Sequence, residues 1–305
     1  MHQGVARSRL VLGTAQLGLP YGIANRSGQP DMVTATQLVH AAWGGGIRLF
    51  DTAQAYGASE EVLGVALRNL GLAGQALVIS KLLPTLAATH APNVPGMVRT
   101  SLSLLGVRAL HSLMLHREEQ LDLLDGPLGD SLQNLVSAGI VRSLGISVYT
   151  PEAAIRALRH PLVSLVQVPA GLFDRRFETA DVFALACELG KKIHIRSVLL
   201  QGVLCMVPEA LPAHLAPLAP ALTAFHEICS THVLPPAALA LAWTLRRYPE
   251  SFVLFGAETS EQVRQNLDMP NQADRMLSTL AAPLEAIMPP QTAKLLNPSL
   301  WNNTL

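Results

Sequence analysis

The feature that most constrains the fold of this chain is a repeating unit, a short apolar strand followed by a longer helical stretch. Most of the strand candidates start about 30 residues after the previous one, which is the size of one strand–helix–strand unit. The eight candidates cover residues 10–15, 47–52, 77–81, 110–116, 141–148, 165–170, 193–199 and 252–256. Most are apolar throughout, as is typical of strands that are covered on both faces of a parallel sheet. The repeat therefore predicts an α/β fold, a single (β/α)8 TIM barrel domain over residues 1–305.

Two segments lie outside this repeat. After the seventh strand, Pro208, Pro212, Pro217 and Pro220 precede a helix predicted over residues 237–248. We interpret this long loop as a lid that covers a cofactor, with a linker between two domains as the alternative. After Met269 the sequence predicts one more helix, over residues 277–288. Residues 290–305 are expected to form a loosely held tail.

The charge balance argues against nucleic acid and membrane partners. The 305 residues include 22 basic and 22 acidic side chains, so no net field attracts phosphate backbones or anionic lipid. The least interrupted apolar stretch, 233–245, contains two prolines and is shorter than the roughly 20 residues of a membrane span. The N-terminal residues lack a signal-peptide pattern, and the three cysteines are scattered. We expect a cytoplasmic protein with reduced thiols; an oligomer is compatible with this composition.

Ionisable residues stand at the carboxyl ends of three consecutive predicted strands. Asp51 ends the second strand, Lys81 the third and His116 the fourth, and Tyr56 follows Asp51 by five residues. Because β/α barrels carry their active sites at the carboxyl ends of the strands, we expect these side chains to share one mouth. Each residue alone could be structural, as a turn cap, a solvated cation or a core histidine. The four together favour a catalytic site.

These residue types suit the reduction of a carbonyl group. The carbonyl oxygen must receive a proton as hydride reaches the carbon, and a free tyrosine, with a pKa of about 10, is a slow donor at neutral pH. A lysine ammonium beside a tyrosine lowers that pKa, and an aspartate keeps the lysine charged. A neutral histidine can orient the carbonyl oxygen. The ten histidines show no metal-binding pattern such as His-Glu-x-x-His, so we expect no metal site.

The segments around this site resemble the signature of the aldo-keto reductase family. The similar segments are residues 12–18, 50–57, 59–60, 63–64, 80–81, 113–116, 139–147, 167–168 and 256–266. The resemblance implies a (β/α)8 barrel that uses NADH or NADPH to reduce an aldehyde, a ketone or a sugar-like carbonyl. It also implies that Tyr56 is the general acid, that Lys81 and Asp51 tune it, and that His116 orients the substrate.

The resemblance further implies where cofactor and substrate would lie. Ser147 and Gln167 would contact the carboxamide, residues 197–202 would follow the pyrophosphate, and residues 256–266 would hold the adenosine end. The residues expected to bind cofactor are Gly13, Thr14, Ser147, Gln167, Arg196, Ser197, Leu199, Gly202, Gly256, Glu258, Thr259, Gln262, Gln265 and Asn266. Tyr21 and Phe173 are expected to contact substrate.

Several positions depart from the family pattern. Val148 replaces a usual asparagine, and Arg196 stands where an aromatic residue usually stacks on the nicotinamide. Arg196 could stack in its place, bind a substrate anion or form a structural ion pair. Glu258 lies where the family often binds the 2′-phosphate of NADP, and a carboxylate there repels phosphate and accepts from a 2′-hydroxyl. The sequence therefore favours NADH, although Arg264 could reach a phosphate.

Two other functions are compatible with a barrel. A catalytically weak regulatory protein could keep the reductase barrel and bind nicotinamide, and Val148 and Arg196 favour that alternative. A metal-dependent hydrolase would need clustered ligands that the strand ends do not supply. The complete set of Asp51, Tyr56, Lys81 and His116 favours the enzyme.

Overall fold

Eight parallel strands form a closed barrel in the computed structural model, which describes residues 8–25 and 27–301. The strands are β1 (Leu10–Gly13), β2 (Leu49–Asp51), β3 (Leu77–Lys81), β4 (Ser112–Leu115), β5 (Leu144–Ser147), β6 (Leu165–Pro169), β7 (Lys192–Arg196) and β8 (Phe252–Phe255). Each strand pairs with the next, and β8 pairs with β1. The predicted (β/α)8 barrel is confirmed. Most strands are shorter than predicted, because apolar residues such as Ile47 and Val148 are buried next to the ladder without belonging to it.

The strand register places the polar strand ends on one rim of the barrel. Asp51 lies opposite Gly13 and Ile79, Lys81 lies opposite Met114, and Ser147 lies opposite Gln167. On the next pair, Pro169 lies opposite Arg196. Parallel pairing in this register therefore brings residues that are far apart in the chain to the same mouth.

Helices surround the barrel. The α-helices are Ala15–Gly18, Met32–Gly44, Ser59–Asn69, Val94–Leu105, Pro127–Ser137, Pro151–Arg159, Arg176–Thr179, Val182–Glu188, Ala219–Thr231, Pro236–Arg247, Ser260–Ala286 and Ala293–Leu296. Short 3-10 helices cover Ala88–Asn93, Glu118–Asp125, Leu200–Cys205, Pro208–Ala210, Ala213–Leu218 and Pro298–Leu300. Side-chain oxygens of Asp31, Thr150 and Thr259 accept from backbone N–H groups in the first turns of their helices.

Apolar side chains fill the interior of the barrel below the site. Val11, Leu49, Ile79, Met114, Leu165 and Leu254 form one buried cluster. A second, larger cluster packs the outer face of the strands against the helices. The barrel is therefore a packed core instead of a pore, and ligands have access only where the strands end.

The segment after β7 belongs to the same domain. Leu215, Leu218, Leu222 and Phe225 are fully buried in the large core cluster, which argues against a linker between domains. No single helix in the described part of the chain is long and apolar enough to cross a membrane. Ala213–Thr231 and Pro236–Arg247 meet the length and composition criteria only as a pair bent by 99°.

The C-terminal region differs from the prediction in two respects. The helix expected over 277–288 is the second half of one continuous helix, Ser260–Ala286, because buried residues recur along one face from Val263 to Leu284. The loosely held tail is also wrong for residues 291–301, since Leu296 is fully buried and Trp301 is 5% exposed. Gln291 fastens this segment by accepting from the Arg175 backbone N–H at 2.9 Å. Residues 302–305 lie outside the described residues.

Candidate active site

A buried chain of polar contacts connects the ends of β2, β3 and β6. The Lys81 ammonium forms an ion pair with the Asp51 carboxylate and donates to the Thr52 carbonyl at 3.0 Å. Gln167 Nε2 donates to the other Asp51 oxygen at 2.8 Å. Lys81 Nζ also donates to Tyr56 Oη at 3.4 Å. Because the lysine donates, the hydroxyl proton of Tyr56 stays available for another acceptor.

The Lys81 side chain is fully buried and remains charged. Burial by itself lowers the pKa of Lys81, but the charge of Asp51 and the contacts with Asp51 and Tyr56 outweigh it and raise that pKa above its ordinary value. The ammonium is therefore the stable form at neutral pH.

The turn that carries Tyr56 packs directly against the first helix. Its backbone N–H donates to Ala53 O, and its carbonyl accepts from the Ser59 N–H, both at 3.0 Å. Gly18 allows this contact, since a Cβ on Gly18 would lie 1.8 Å from the Tyr56 carbonyl oxygen. Gly57 adopts a φ of 54°, a conformation that favours glycine. The two glycines therefore decide where the tyrosine lies.

Buried hydroxyl groups support the same turn from below. Ser59 Oγ donates to the Thr14 carbonyl at 2.7 Å and contacts the hydroxyls of Thr14 and Thr52 at 2.8 and 3.0 Å. Thr14 Oγ1 also donates to the Asp51 carbonyl at 2.9 Å. The sequence reasoning gave no role to Thr52 and Ser59, although both lie in segments that carry the resemblance, 50–57 and 59–60.

His116 contacts Tyr56 in the same site. It follows β4, and its ring meets the Tyr56 ring edge-on with centroids 5.6 Å apart. Burial, with smaller contributions from the charges of Lys81 and Arg196, lowers the pKa of His116 to about 3. The imidazole is thus neutral at physiological pH, as its expected role of orienting a carbonyl oxygen requires.

A cavity of about 630 Å³ runs from this polar chain across the mouth of the barrel. Asp51, Tyr56 and Gln167 line one end of it. The other predicted site residues that line the cavity are Gly13, Thr14, Tyr21, Arg196, Ser197, Leu199, Gly202, Gly256, Glu258, Gln262, Gln265 and Asn266. Gln16, Gly22 and Ala24 also line it, although they were not among the residues expected to bind cofactor or substrate. Gln201 lines it as well, within the segment 197–202 that was expected along the pyrophosphate.

Five predicted site residues do not line the cavity. Lys81 and His116 are two of them, and both contact Tyr56, which lines it. The other three are Ser147, Thr259 and Phe173. Ser147 accepts from Arg196 Nε at 3.3 Å, and Thr259 caps the helix Ser260–Ala286 by accepting from the Gln262 N–H at 3.2 Å. The expected substrate contact of Phe173 is wrong. Its side chain is 1% exposed and packs edge-on against Phe225 at 6.1 Å, because the loop after β6 turns its aromatic residue into the core.

Two segments meet over the cavity. The Ala24 N–H donates to the Gln201 carbonyl at 3.4 Å, and Gln201 Nε2 donates to Tyr21 Oη at the same distance. Gly202 has a φ of 96°, and a Cβ there would lie 2.5 Å from Ala24 Cβ. Only a glycine lets these segments approach so closely. The loop after β7 thus covers the cavity, together with residues 21–25.

The far end of the cavity presents a carboxylate. Glu258 Oε2 accepts from Ser27 Oγ at 2.8 Å, and the Glu258 backbone N–H donates to Gln262 Oε1 at 2.7 Å. The cation nearest in sequence, Arg264, is paired with Glu261 at 3.1 Å. A phosphate at this end would meet a negative charge, whereas a hydroxyl could donate to Glu258.

The cavity has the size of a small-molecule site. It joins an amide-bearing end at Gln167 to the far end at Glu258. Gly13 and Gly22 also line its wall, whereas a Cβ on Gly202 or on Gly256 would face Ala24 or Gln16, at 2.5 and 2.3 Å. In the described residues, no group of three or more His, Cys, Asp or Glu side chains is placed to hold a metal ion.

Comparisons with known proteins agree with this geometry. Residues 9–274 match the model of the Aldo/keto reductase family. Aldo-keto reductase str7 of Strobilurus tenacellus is 25% identical over 84% of this chain and 81% of the relative. The NADH-specific methylglyoxal reductase of Escherichia coli is 24% identical over 86% and 90%. A putative voltage-gated potassium channel subunit beta of Schizosaccharomyces pombe is 26% identical over 93% and 92%. The solved glycerol dehydrogenase AKR11B4 of Gluconobacter oxydans superposes with a TM-score of 0.69, at 25% identity over 89% and 92%.

Proposed function

Since the chain belongs to the aldo/keto reductase family, we propose that it reduces a small aldehyde, ketone or sugar-like carbonyl to the alcohol with a reduced nicotinamide dinucleotide. The observation that carries this proposal is the buried contact chain from Asp51 through Lys81 to Tyr56 at one end of the cavity. A charged lysine beside a tyrosine hydroxyl suits proton donation to a carbonyl oxygen.

The chain's own residues divide the work as follows. Gln167, residues 197–202 and residues 256–266 would hold a bound cofactor, which would supply the hydride for the carbonyl carbon. Tyr56 Oη gives its proton to the carbonyl oxygen, and the Lys81 ammonium at 3.4 Å stabilises the phenolate that is left. Asp51 holds Lys81 in place, and neutral His116 donates an N–H to the same carbonyl oxygen.

Replacing Tyr56 with phenylalanine tests the proton donor. We expect turnover to fall by about 10²–10⁴-fold, as is usual for loss of a general acid, while NADH binding by fluorescence titration is retained. Tyr248→Phe is the matched control, because Tyr248 is buried outside the cavity and bonds Glu178 at 3.0 Å. Unchanged turnover in Tyr56→Phe would exclude Tyr56 as the donor.

We also propose a preference for NADH over NADPH. Glu258 supports it, because its carboxylate at the far end of the cavity would repel a 2′-phosphate, and the pairing of Arg264 with Glu261 supports it further. One relative of similar length is named as NADH-specific. We expect a lower Kd for NADH, and a gain in NADPH affinity of about two- to fivefold in Glu258→Gln, the scale of one removed charge repulsion. Glu152→Gln, on an exposed helix face, is the control. Tighter binding of NADPH by the unaltered chain would contradict the preference.

A second candidate is a nicotinamide-binding regulatory protein. The relative named as a potassium channel subunit favours it, as does Arg196 at the cavity wall. A screen of aldehydes, ketones and sugars with both cofactors separates the two functions. Cofactor binding without turnover of any substrate would support the regulatory protein, and turnover that depends on Tyr56 would support the enzyme.

A further inference from the structure

We propose that the substrate of this site carries a negatively charged group, a carboxylate or a phosphate, and that Arg196 binds it. The inference rests on the proposed function, because it names a class of substrate for the same cavity. The feature that supports it is a guanidinium at the cavity wall that is held only by neutral groups.

Neutral acceptors fix the guanidinium in one position. Nε of Arg196 donates to Ser147 Oγ at 3.3 Å, Nη1 donates to Ser197 Oγ at 3.3 Å, and Nη2 donates to the Val148 carbonyl at 3.0 Å. The ring of Tyr149 covers one face, with its centroid 3.9 Å from Cζ. The side chain is therefore preorganised, and a ligand does not have to order it.

The hydrogen-bonding capacity of Arg196 is not exhausted. A guanidinium has five N–H donors, and one each at Nε, Nη1 and Nη2 is used, so two remain. Free N–H groups on a planar guanidinium match the spacing of carboxylate and phosphate oxygens. Arg196 lines the cavity, so an anion in the cavity can reach it.

The surrounding acids are already engaged elsewhere. Among residues 8–25 and 27–301, no carboxylate oxygen lies within ion-pair distance of Arg196. Asp51 is held by Lys81 and Gln167, and Glu118 Oε2 accepts from the Tyr149 N–H at 2.7 Å and from the Thr150 N–H at 3.0 Å. A half-buried cation without a counter-ion is unfavourable, and an anionic ligand relieves that cost.

The same guanidinium lies close to the reacting end of the cavity. Ser147, which Arg196 contacts, ends β5 directly beside Gln167 of β6, and Gln167 holds Asp51. The charge of Arg196 also acts on His116. Consider a substrate whose anionic group and reducible carbonyl are a few bonds apart. When its anionic group binds Arg196, its carbonyl would lie near Tyr56.

Matched substrate pairs test the proposal. The first pair is 4-oxobutanoate and butanal, and the second is glyceraldehyde 3-phosphate and glyceraldehyde. For each pair we measure the ratio of kcat/KM for the charged to the neutral compound, with NADH. We expect the unaltered chain to favour the charged member of one pair, and the pair that shows the preference identifies carboxylate or phosphate.

Two variants assign the preference to its residue. Arg196→Gln is expected to lower the ratio about 10- to 100-fold, through KM, as for loss of a charge-assisted hydrogen bond. Arg117→Gln is the control, because Arg117 is exposed outside the cavity although its charge also acts on His116. It should change the ratio by less than about fivefold. An unchanged ratio in Arg196→Gln overturns the proposal. So does an equal loss for charged and neutral substrates with weaker NADH binding, since that result assigns Arg196 to the cofactor.

Direct binding separates this proposal from the proposed function. If no carbonyl is reduced, calorimetry with 4-oxobutanoate and with glyceraldehyde 3-phosphate still reports anion binding. Binding that is lost in Arg196→Gln then supports the anion site while the reductase function fails. Turnover of neutral substrates with no preference for charge supports the reductase and overturns the anion site.

Discussion

Replacing Lys81 with methionine measures how strongly the buried ion pair holds the site together. The variant loses the ammonium that pairs with Asp51 and donates to the Thr52 carbonyl at 3.0 Å. Methionine keeps most of the side-chain volume, so the main change is the loss of charge and of donors. Asp51, which is 2% exposed, keeps its hydrogen bond from Gln167.

The expected loss of stability follows from these contacts. Removing one partner of a buried pair costs about 3–5 kcal/mol, because the other charge stays buried without compensation. The Thr52 carbonyl, which loses the bond from Lys81, adds about 1 kcal/mol. The bond that Asp51 keeps from Gln167 lowers the cost of its uncompensated charge in part. For a chain of 305 residues, a change of 3–5 kcal/mol lowers Tm by about 5–8 °C.

Thermal and urea unfolding, followed by circular dichroism, give the free energy of unfolding for five proteins. They are the unaltered chain, Lys81→Met, Asp51→Asn, the double variant and Arg156→Met. Asp51→Asn with Lys81→Met removes both charges, and we expect it to recover about 1–3 kcal/mol of the single variant's loss. Arg156→Met is the control for charge removal. Its pair with Asp122 is 61% and 72% exposed, so the expected cost is below about 1 kcal/mol.

Two results would refute this reasoning. One is a Lys81→Met variant that loses no more stability than Arg156→Met. The other is a double variant in which the losses simply add, since adding losses would mean that Asp51 is not left as an uncompensated charge when Lys81 is removed.

Three further expectations concern the turn, acid stability and the C-terminal segment. Gly18→Ala should lower kcat about 100-fold by displacing Tyr56. Gly44→Ala is the control and should leave kcat unchanged, because a Cβ there meets nothing within 4 Å. Equal kcat in both variants would contradict the contact between Gly18 and the Tyr56 carbonyl. Burial lowers the pKa of His194 to about 3 from 6.5, so the unfolded chain binds the extra proton and stability is lost as pH falls below 6.5. In His194→Phe, the free energy of unfolding should therefore fall less steeply below pH 6.5. The slope should be smaller by up to about 1.4 kcal/mol per pH unit, and an unchanged slope would contradict the lowered pKa of His194. Deleting residues 291–305 should lower the free energy of unfolding in urea by at least about 3 kcal/mol, because buried apolar side chains are lost. An unaltered urea midpoint would instead support a loosely held tail.

The parts of the fold that were predictable are those encoded by local polarity. Strand β3 was predicted at its observed bounds, because an apolar run ends there at a lysine. The position of Phe173 was not predictable, because an aromatic residue in a loop can face either the core or the mouth. The continuous helix Ser260–Ala286 was missed since Pro270 and Pro283 usually end helices, and only packing of its apolar face keeps it together.

The candidate site, like the fold, was predictable in part from the sequence. The sequence by itself determined which residues end which strands, because a strand–helix repeat places Asp51 and Lys81 one unit apart and on the same rim. Only closure of the barrel brings Gln167, 116 residues from Asp51 in the chain, to 2.8 Å from its carboxylate. Only the tertiary structure shows that Arg196 has neutral partners, since a charge's environment depends on every element packed around it and not on its neighbours in the chain.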